Sequence, residues 1–341
     1  MAENLITITR EQLNALLSIQ QTKGSLTLPQ KGDTIPYVSF LMDWLEHENM
    51  IRRWSPKTYE TYKGLIKTHI APYFDGVMLS VVSLEDIETF IVEKSKTLSP
   101  ATLEKMQSCI LKNSFRRAVR LKYIDHNPLQ EIEKIKVKNK TKRPLSNEEL
   151  VSLINASKSH RLGFTIPLLA FTGMRRAELL ALTWEDLELD SPHPFIKINK
   201  DYVSTSTQSY NRDTKTEGSA RATALPYNLV EVLRHIKETQ GHSFVVSQEK
   251  QDKQIEPHNF SRLFRSWCRK AGLANVSPHN LRVTYCTIAS ELGIDNNTIR
   301  RQIGHTSERM LLKHYLKFRT DKQLREAAHT MGDFMSSLKV C

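Results

Sequence analysis

The stretch between residues 279 and 315 concentrates side chains that are suited to phosphate chemistry, namely His279, Arg282, His305 and Tyr315. A guanidinium can direct two hydrogen bonds onto phosphate oxygens, and a histidine can transfer protons near neutral pH. His279 and Arg282 are three residues apart, so they would share one face of a helical turn. The hydroxyl of Tyr315 is a candidate nucleophile. Taken alone, Tyr315 would equally suit a core aromatic on an apolar helix face.

The local pattern predicts three helices around these residues. The first would begin at Pro278 and end at Gly293, with apolar residues at every third or fourth position between them. A second would run from an Asp295 cap to Gly304, and a third would carry Tyr315. The candidate chemical groups would therefore lie at helix ends and turns.

The order HNLR, then IGH, then a tyrosine ten residues beyond that histidine resembles the C-terminal signature of the tyrosine recombinases, the phage integrase family. This family also uses an arginine in the context TGxRxxEL, and residues 172–179 read TGMRRAEL. It places a lysine on a β-hairpin between the two blocks, where RDTKTEGSARATALP supplies one. The resemblance implies six catalytic residues, which are Arg175, Lys215, His279, Arg282, His305 and Tyr315. Glu178 lies about one turn beyond the first of them and would orient an arginine.

The resemblance also implies a mechanism of DNA cleavage and rejoining. Tyr315 would attack phosphorus to form a 3′-phosphotyrosyl intermediate, which stores the bond energy so that a second DNA end can reseal the strand without ATP or metal. Arg175 and Arg282 would hold the non-bridging oxygens. Lys215 would protonate the departing 5′ oxygen, and His279 would act as a general acid or base near the tyrosine. His305 would donate a hydrogen bond to the phosphate.

Composition independently favours a polyanionic partner. The 341 residues carry a net charge of +12, and the pI is about 9.4, which suits nucleic acid because cationic side chains release the counterions condensed on phosphates. No long apolar span, signal peptide or lipidation motif favours a membrane instead. We expect a cytoplasmic protein that associates with the nucleoid when bound to DNA.

Cysteine usage and motif content argue against a metal or cofactor. The four cysteines are widely separated and form no CxxC pair, which is typical of reduced thiols rather than of a disulfide framework or a zinc site. HExxH and glycine-rich phosphate-loop motifs are absent from the sequence. We expect chemistry without a cofactor.

The predicted architecture is mainly α with a small β-sheet. The resemblance implies an N-terminal helical core-binding domain and a C-terminal α+β catalytic domain that together form a clamp around DNA. The predicted segments are an N-terminal helix and linker (1–34), a helical SAM-like core-binding domain (35–133), a basic interdomain linker (134–143), the catalytic domain (144–318) and a C-terminal tail helix (319–341). The tail either docks into a neighbouring subunit or folds back on its own domain.

Several local signals support these segments. Lysine alternates with other residues in KIKVKNKTKR, which favours an extended linker over a strand. Ser146 and Glu149 form a capping box at the start of a helix. RRAELLALTWEDL is predicted to be helical, and PFIKINKDYV and ARATALPY are predicted strands.

Basic side chains of both domains are candidate DNA contacts, although each alone would also suit a solvated surface charge. The set comprises Lys57, Lys63, Lys67, Arg116, Arg117, Arg120, Lys136, Lys138, Lys140, Arg176 and Arg221. The resemblance implies double-stranded DNA as the partner, a homo-oligomer that is a tetramer on paired DNA sites, and accessory DNA-bending proteins.

Two other functions stay open from the sequence. A non-catalytic DNA-binding regulator on the same fold would be expected to lose the nucleophile or the arginines, and all are present. A type IB topoisomerase shares the cleavage chemistry but relaxes supercoils as a monomer. The core-binding pattern and the tail that could be exchanged argue against the topoisomerase, so we expect the site-specific recombinase of a phage or mobile genetic element.

Overall fold

A computed structural model describes residues 34–137, 142–213 and 220–304 of the chain. The chain divides into two compact units, Met1–Lys138 and Asn139–Cys341. The predicted helix before residue 34 and the predicted tail helix lie outside the described residues.

In the described part of the first unit, the regular elements are helices, as predicted from its apolar spacing. The α-helices are α1 (Tyr37–Arg52), α2 (Pro56–Leu65), α3 (Leu84–Ser95), α4 (Pro100–Glu104) and α5 (Lys112–Arg120), joined by π-helical turns at Ile66–Ile70 and Lys105–Leu111 and a 3₁₀ turn at Leu79–Val81. Serine caps begin α2, α3 and α4. The core is aromatic, with Tyr37 stacked on Phe115 at 4.7 Å between ring centroids and edge-on to Phe74 at 5.4 Å.

The first part of the predicted linker is attached to this unit. The amide of Gln107 donates to the carbonyl of Glu133 at 3.1 Å and accepts from the backbone N–H of Ile135 at 3.1 Å. Lys134 forms an ion pair with Glu104 at 2.9 Å. Residues 134–137, the described start of the predicted linker, have no regular secondary structure, and the Ile135 N–H is held by a side chain of the helical unit.

The second unit combines helices with two small antiparallel sheets. Its helices are α6 (Asn147–Ser157), α7 (Thr165–Thr172), α8 (Arg176–Ala181), α9 (Tyr227–Gln240), α10 (Pro257–Lys270), α11 (Pro278–Glu291) and α12 (Asn296–Ile303). Its strands are β1 (Leu187–Glu188), β2 (Phe195–Ile198), β3 (Lys200–Ser204), β4 (Ser209–Asp213) and β5 (Arg221–Ala224). One sheet has the order β1-β2-β5, and β3 pairs with β4 in the other.

A continuous apolar core joins helices α6 to α11 to the larger sheet of this unit, and Ile299 and Ile303 of α12 pack in a smaller cluster against α11. Leu179 and Leu180 of α8, Ile196 of β2 and Phe260 and Phe264 of α10 are fully buried in it. The capping box predicted at Ser146 is confirmed, because the Ser146 hydroxyl accepts from the N–H of Glu149 at 3.2 Å. This core fixes the corner between α7 and α8 against α11.

Two local predictions in this unit are wrong. The helix predicted through RRAELLALTWEDL ends at Ala181, because Asp186 accepts hydrogen bonds from the N–H and the hydroxyl of Thr183, both at 2.8 Å, and so starts a 3₁₀ turn at Trp184–Asp186. Strands β1 and β4 were not predicted. β4 reads SYNRD and has no alternating apolar residues, so its extended conformation depends on pairing with β3.

Candidate active site

The corner between α7 and α8 presents Arg175. Helix α7 ends at Gly173, which has a φ of 65° and leaves no room for a side chain, because a Cβ atom there would lie 2.6 Å from the ring of Tyr285. Arg175 has extended backbone and precedes α8. Its backbone N–H donates to Oε2 of Glu178 at 2.6 Å. The corner is therefore fixed by a glycine on one side and a carboxylate on the other.

Arg282 links this corner to α11 and α12. It is 1% exposed, and its Nη1 donates to the Gly173 carbonyl while its Nη2 donates to the Ile303 carbonyl, both at 2.7 Å. Helix α11 begins where predicted, with a capping box between Ser277 and Asn280. The guanidinium of Arg282 is thus held rigidly by two backbone segments that are distant in sequence.

The last turn of α12 gathers three arginines. The carbonyl of Gln302 accepts from Nε of Arg221 at 2.8 Å, that of Ile303 accepts from Arg282, and that of Gly304 lies 3.5 Å from Nη2 of Arg175. Carbonyls at a helix C-terminus have no partner within the helix and carry the negative end of the helix dipole. This helix end is accordingly a natural binding place for cations.

Glu178 is the carboxylate of the site, and it is fully buried. Its Oε1 accepts from Nη1 of Arg175 at 2.6 Å and from Nη1 of Arg221 at 3.0 Å, and its Oε2 accepts from Nη2 of Arg221 at 2.9 Å. Burial, the largest influence, raises the pKa of Glu178, but hydrogen bonding to Arg221 and the charges of Arg221, Arg175 and Arg282 outweigh it and lower the pKa to about 2. The group is therefore ionised at neutral pH.

The predicted residues Arg175, His279 and Arg282 line one cavity of about 290 Å³. Met174, Arg176, Ala177, Ser277 and Pro278 complete its lining. Beside the cavity, Arg175, Arg221 and Arg282 together with the carboxylate of Glu178 carry an excess of two positive charges, and the side chain of Arg175 is 38% exposed. The arrangement is suited to bind an anion with positive donors already in place.

Three of the six predicted catalytic residues, Lys215, His305 and Tyr315, lie outside the described residues. Strands β4 and β5 flank the segment that carries the lysine, and α12 ends at Gly304, immediately before His305 in sequence. The assignment of these three remains a prediction.

The candidate DNA contacts have varied surroundings. Lys67, Arg116, Arg120 and Lys136 are exposed, Arg117 is half-buried, and Lys138 and Lys140 lie outside the described residues. Lys57 is paired with Glu60 at 2.8 Å, and Lys63 donates to the hydroxyl of Tyr59 at 3.0 Å. Arg176 donates to the hydroxyl of Ser261. As a set they remain predictions.

Arg221 is buried, whereas its predicted role in DNA contact requires a guanidinium at the surface. Its side chain is 6% exposed, because both terminal nitrogens are bound to Glu178. Sequence reasoning missed this pairing and the contact with Gln302. The residues lie 43 and 81 positions apart, so no local pattern could reveal either contact.

No cluster of three or more histidine, cysteine or acidic side chains that could hold a metal ion occurs in 34–137, 142–213 or 220–304. Among the helices that the structure describes, none combines the length and the apolar character needed to cross a bilayer.

A helical N-terminal unit followed by an α+β unit in which Arg175, Arg282 and His279 line one cavity is the arrangement expected of a tyrosine recombinase. The comparisons agree, because the model of the "Phage integrase family" matches residues 143–321, and that of the "Phage integrase, N-terminal SAM-like domain" matches residues 37–95. The chain belongs to the phage integrase family. It is a site-specific DNA recombinase.

Individual relatives and solved structures extend the similarity over most of the chain. An integrase of Streptomyces ambofaciens is 26% identical over 322 residues, which cover 88% of this chain and 80% of that protein. The fold resembles the Tn1549 transposon integrase in complex with circular intermediate DNA, with a TM-score of 0.73, 17% identity and coverage of 87% of this chain and 100% of that one. It also resembles a lambda integrase tetramer bound to a Holliday junction, with a TM-score of 0.64, 20% identity and coverage of 87% and 86%.

Proposed function

We propose that this recombinase cleaves a DNA strand by attack of the Tyr315 hydroxyl on phosphorus. The P–O bond to the 5′ oxygen breaks as the P–O bond to tyrosine forms, which gives a 3′-phosphotyrosyl enzyme and a free 5′ hydroxyl. Because one phosphodiester replaces another, a 5′ hydroxyl from a second DNA end can reverse the step and seal a recombinant strand. The exchange consumes neither ATP nor a metal ion.

The observation that supports this proposal is the pair of guanidinium groups at one cavity. Arg282 is held by the Gly173 and Ile303 carbonyls, and Arg175 is held by Glu178. Both therefore have their orientation before DNA binds. Charge that develops on the non-bridging oxygens of a pentacoordinate phosphorus would be stabilised without reorganisation of these donors.

The other groups take the remaining roles. His279 lies at the first turn of α11 on the rim of the same cavity and acts as the general acid or base toward Tyr315. Lys215 protonates the departing 5′ oxygen, and His305 donates a hydrogen bond to the phosphate. Glu178 orients Arg175.

We further propose the working assembly. The partner is double-stranded DNA, on which residues 35–133 and the catalytic domain, 144–318, close as a clamp joined by the linker 134–143. Four subunits act on two sites, and the tail helix, 319–341, docks into a neighbouring subunit. Accessory proteins that bend DNA assist assembly, and the protein works in the cytoplasm on nucleoid DNA. The exposed basic residues Lys67, Arg120 and Lys136 contact the phosphate backbone of the DNA.

A covalent trapping assay tests the mechanism. The protein is incubated with nicked duplexes from the DNA that flanks its own gene, so that the short cleaved strand diffuses away and the adduct accumulates. We expect a denaturant-resistant protein–DNA adduct with the wild type and none with Tyr315→Phe. Tyr227→Phe is the matched control, because Tyr227 is 66% exposed and lies on α9.

The outcomes separate the proposal from a different nucleophile and from a non-catalytic regulator. An adduct that persists in Tyr315→Phe would assign the nucleophile to another residue. Specific DNA binding by the wild type without an adduct on any tested site would instead favour a non-catalytic regulator.

A further inference from the structure

Arg221 occupies the first position of β5 and uses its whole guanidinium inside the protein. Nη1 and Nη2 bind the two oxygens of Glu178 at 3.0 and 2.9 Å, and Nε binds the Gln302 carbonyl at 2.8 Å. The side chain lies flat against Gly304, where a Cβ atom would be only 2.7 Å from Nη1. A planar group with donors on two edges is held by a carboxylate on one edge and a helix end on the other.

This contact determines how Glu178 can orient Arg175. The carboxylate accepts two hydrogen bonds from Arg175, one from its backbone N–H and one from Nη1, and two from Arg221. Without Arg221, Glu178 would lose half of these bonds and the guanidinium that fixes the plane of its carboxylate. The Glu178 carboxylate could then rotate and would no longer hold Arg175 in one orientation.

Gln302 holds β5 in the register that brings Arg221 to this place. The Ala224 N–H donates to Oε1 of Gln302 at 3.0 Å, and Nε2 of Gln302 donates to the Ala224 carbonyl at 2.9 Å. The hydroxyl of Thr223 adds a bond to the Gln302 carbonyl at 3.1 Å. One edge of β5 pairs with β2, and the amide of Gln302 replaces a strand on its other edge.

We propose that Arg221 is a positioning residue of the cleavage reaction: through Glu178 it aims Arg175 at the scissile phosphate, and Gln302 sets the strand register that makes this contact. The inference rests on the proposed phosphoryl transfer. It replaces the expected role of Arg221 in DNA contact, which would need its guanidinium at the surface.

The test compares two linkages at the scissile position of the nicked duplex. One is the natural phosphodiester, and the other is a methylphosphonate, in which a methyl group replaces one charged non-bridging oxygen. A misplaced Arg175 should cost less on the second substrate, because less negative charge develops there. The variants are Arg221→Met, Arg221→Lys and Gln302→Met. Lys197→Met is the control, since it removes a charge from the exposed face of the adjacent strand β2.

We expect Arg221→Met to lower the single-turnover cleavage rate of the phosphodiester at saturating DNA about 10- to 100-fold, because a small misplacement of a catalytic group reduces the rate by factors of this size. DNA affinity should stay within about twofold, because the predicted phosphate contacts are unchanged. Arg221→Lys should also be impaired, because one ammonium group cannot hold both oxygens and the Gln302 carbonyl. On the methylphosphonate, the ratio of wild-type to variant rates should fall to about threefold or less.

Gln302→Met keeps every charge of the site. Its cleavage rate should fall less than that of Arg221→Met, and again more on the phosphodiester than on the methylphosphonate. This variant therefore tests the inference if Arg221→Met fails to fold. Equal deficits on both linkages would overturn the inference, as would weaker DNA binding with normal cleavage at saturation. A wild type without an adduct, or an adduct in Tyr315→Phe, would instead defeat the proposed function and this inference with it.

Discussion

Arg282 has a structural and a chemical role at the same position. Its guanidinium joins two carbonyls that lie 109 and 21 residues from it in sequence, Gly173 and Ile303. It also lines the cavity that Arg175 and His279 share. The two backbone oxygens thus help to hold this buried arginine in one orientation.

Arg282→Lys should therefore be both unstable and inactive. A single ammonium group cannot reach both carbonyls, and one of them is left buried and unsatisfied, which costs about 1–3 kcal/mol of unfolding free energy. Cleavage should fall at least about 100-fold. Urea unfolding and the trapping assay measure the two effects. Arg265→Lys, at an exposed arginine on α10, is the control. A lysine variant with wild-type stability would show that the two carbonyl contacts are dispensable.

The lowered pKa of Glu178 predicts a pH dependence of stability. Because the folded pKa of about 2 lies below the usual value of 4.5, the ionised group contributes stability above pH 4.5, and this is lost as the pH falls toward 2. The contribution at neutral pH is roughly 3 kcal/mol. The difference in unfolding free energy between wild type and Glu178→Gln should therefore shrink by about that amount between pH 7 and pH 2.

Glu188→Gln, which removes an exposed carboxylate of β1, is the matched control for this series. A difference between wild type and Glu178→Gln that stays constant with pH would mean that the carboxylate is not held ionised by its arginines.

At the scale of elements, the close approach of α7 to α11 and α12 depends on Gly173. Gly173→Ala would place a Cβ atom 2.6 Å from the Tyr285 ring and 2.9 Å from Ile303, in a backbone with positive φ. Gly241 ends α9 with a φ of 60° and has open space around it. We expect about 1 kcal/mol of destabilisation for Gly241→Ala and at least about 3 kcal/mol for Gly173→Ala.

The difference between the two alanine variants measures the steric term alone, since both share the cost of positive φ. It can be read from urea midpoints together with the trapping assay, in which Gly173→Ala should lose cleavage and Gly241→Ala should keep it. Equal losses of stability would show that α7 can move away from Tyr285 at little cost.

Elements with local signals could be predicted from the sequence. Helix α11 starts at Pro278 and α12 starts after the Asp295 cap and ends at Gly304, because proline, cap and glycine act through neighbouring residues. Strand β4 and the contact of β5 with α12 depend on partners far along the chain. The type and spacing of Arg175, Arg282 and His279 were therefore readable, whereas the network that orients the arginines was not.

For the whole molecule, the net charge of +12 predicts strongly salt-dependent DNA binding. If six to ten phosphates are contacted, affinity should fall about 10³- to 10⁵-fold between 50 and 200 mM salt. Lys67→Ala and Arg120→Ala should each reduce the slope of log affinity against log salt by about one. Lys158→Ala, an exposed lysine outside the predicted contacts, is the control. Fluorescence anisotropy across a salt series measures the slopes, and an unchanged slope would remove that residue from the interface.

The three carbonyls at the end of α12 have a consequence for biosynthesis. Arg175, Arg221 and Arg282 are all made by the ribosome before Gln302, Ile303 and Gly304, to which they bind. Contacts between such distant segments form only after much of the chain has collapsed. A nascent or truncated polypeptide that stops before this helix end has the three arginines, Glu178 and Gly173, but it lacks the carbonyls of residues 302–304 that bind the arginines from the other side. The arginine network can therefore be completed only after residues 302–304 have been synthesised.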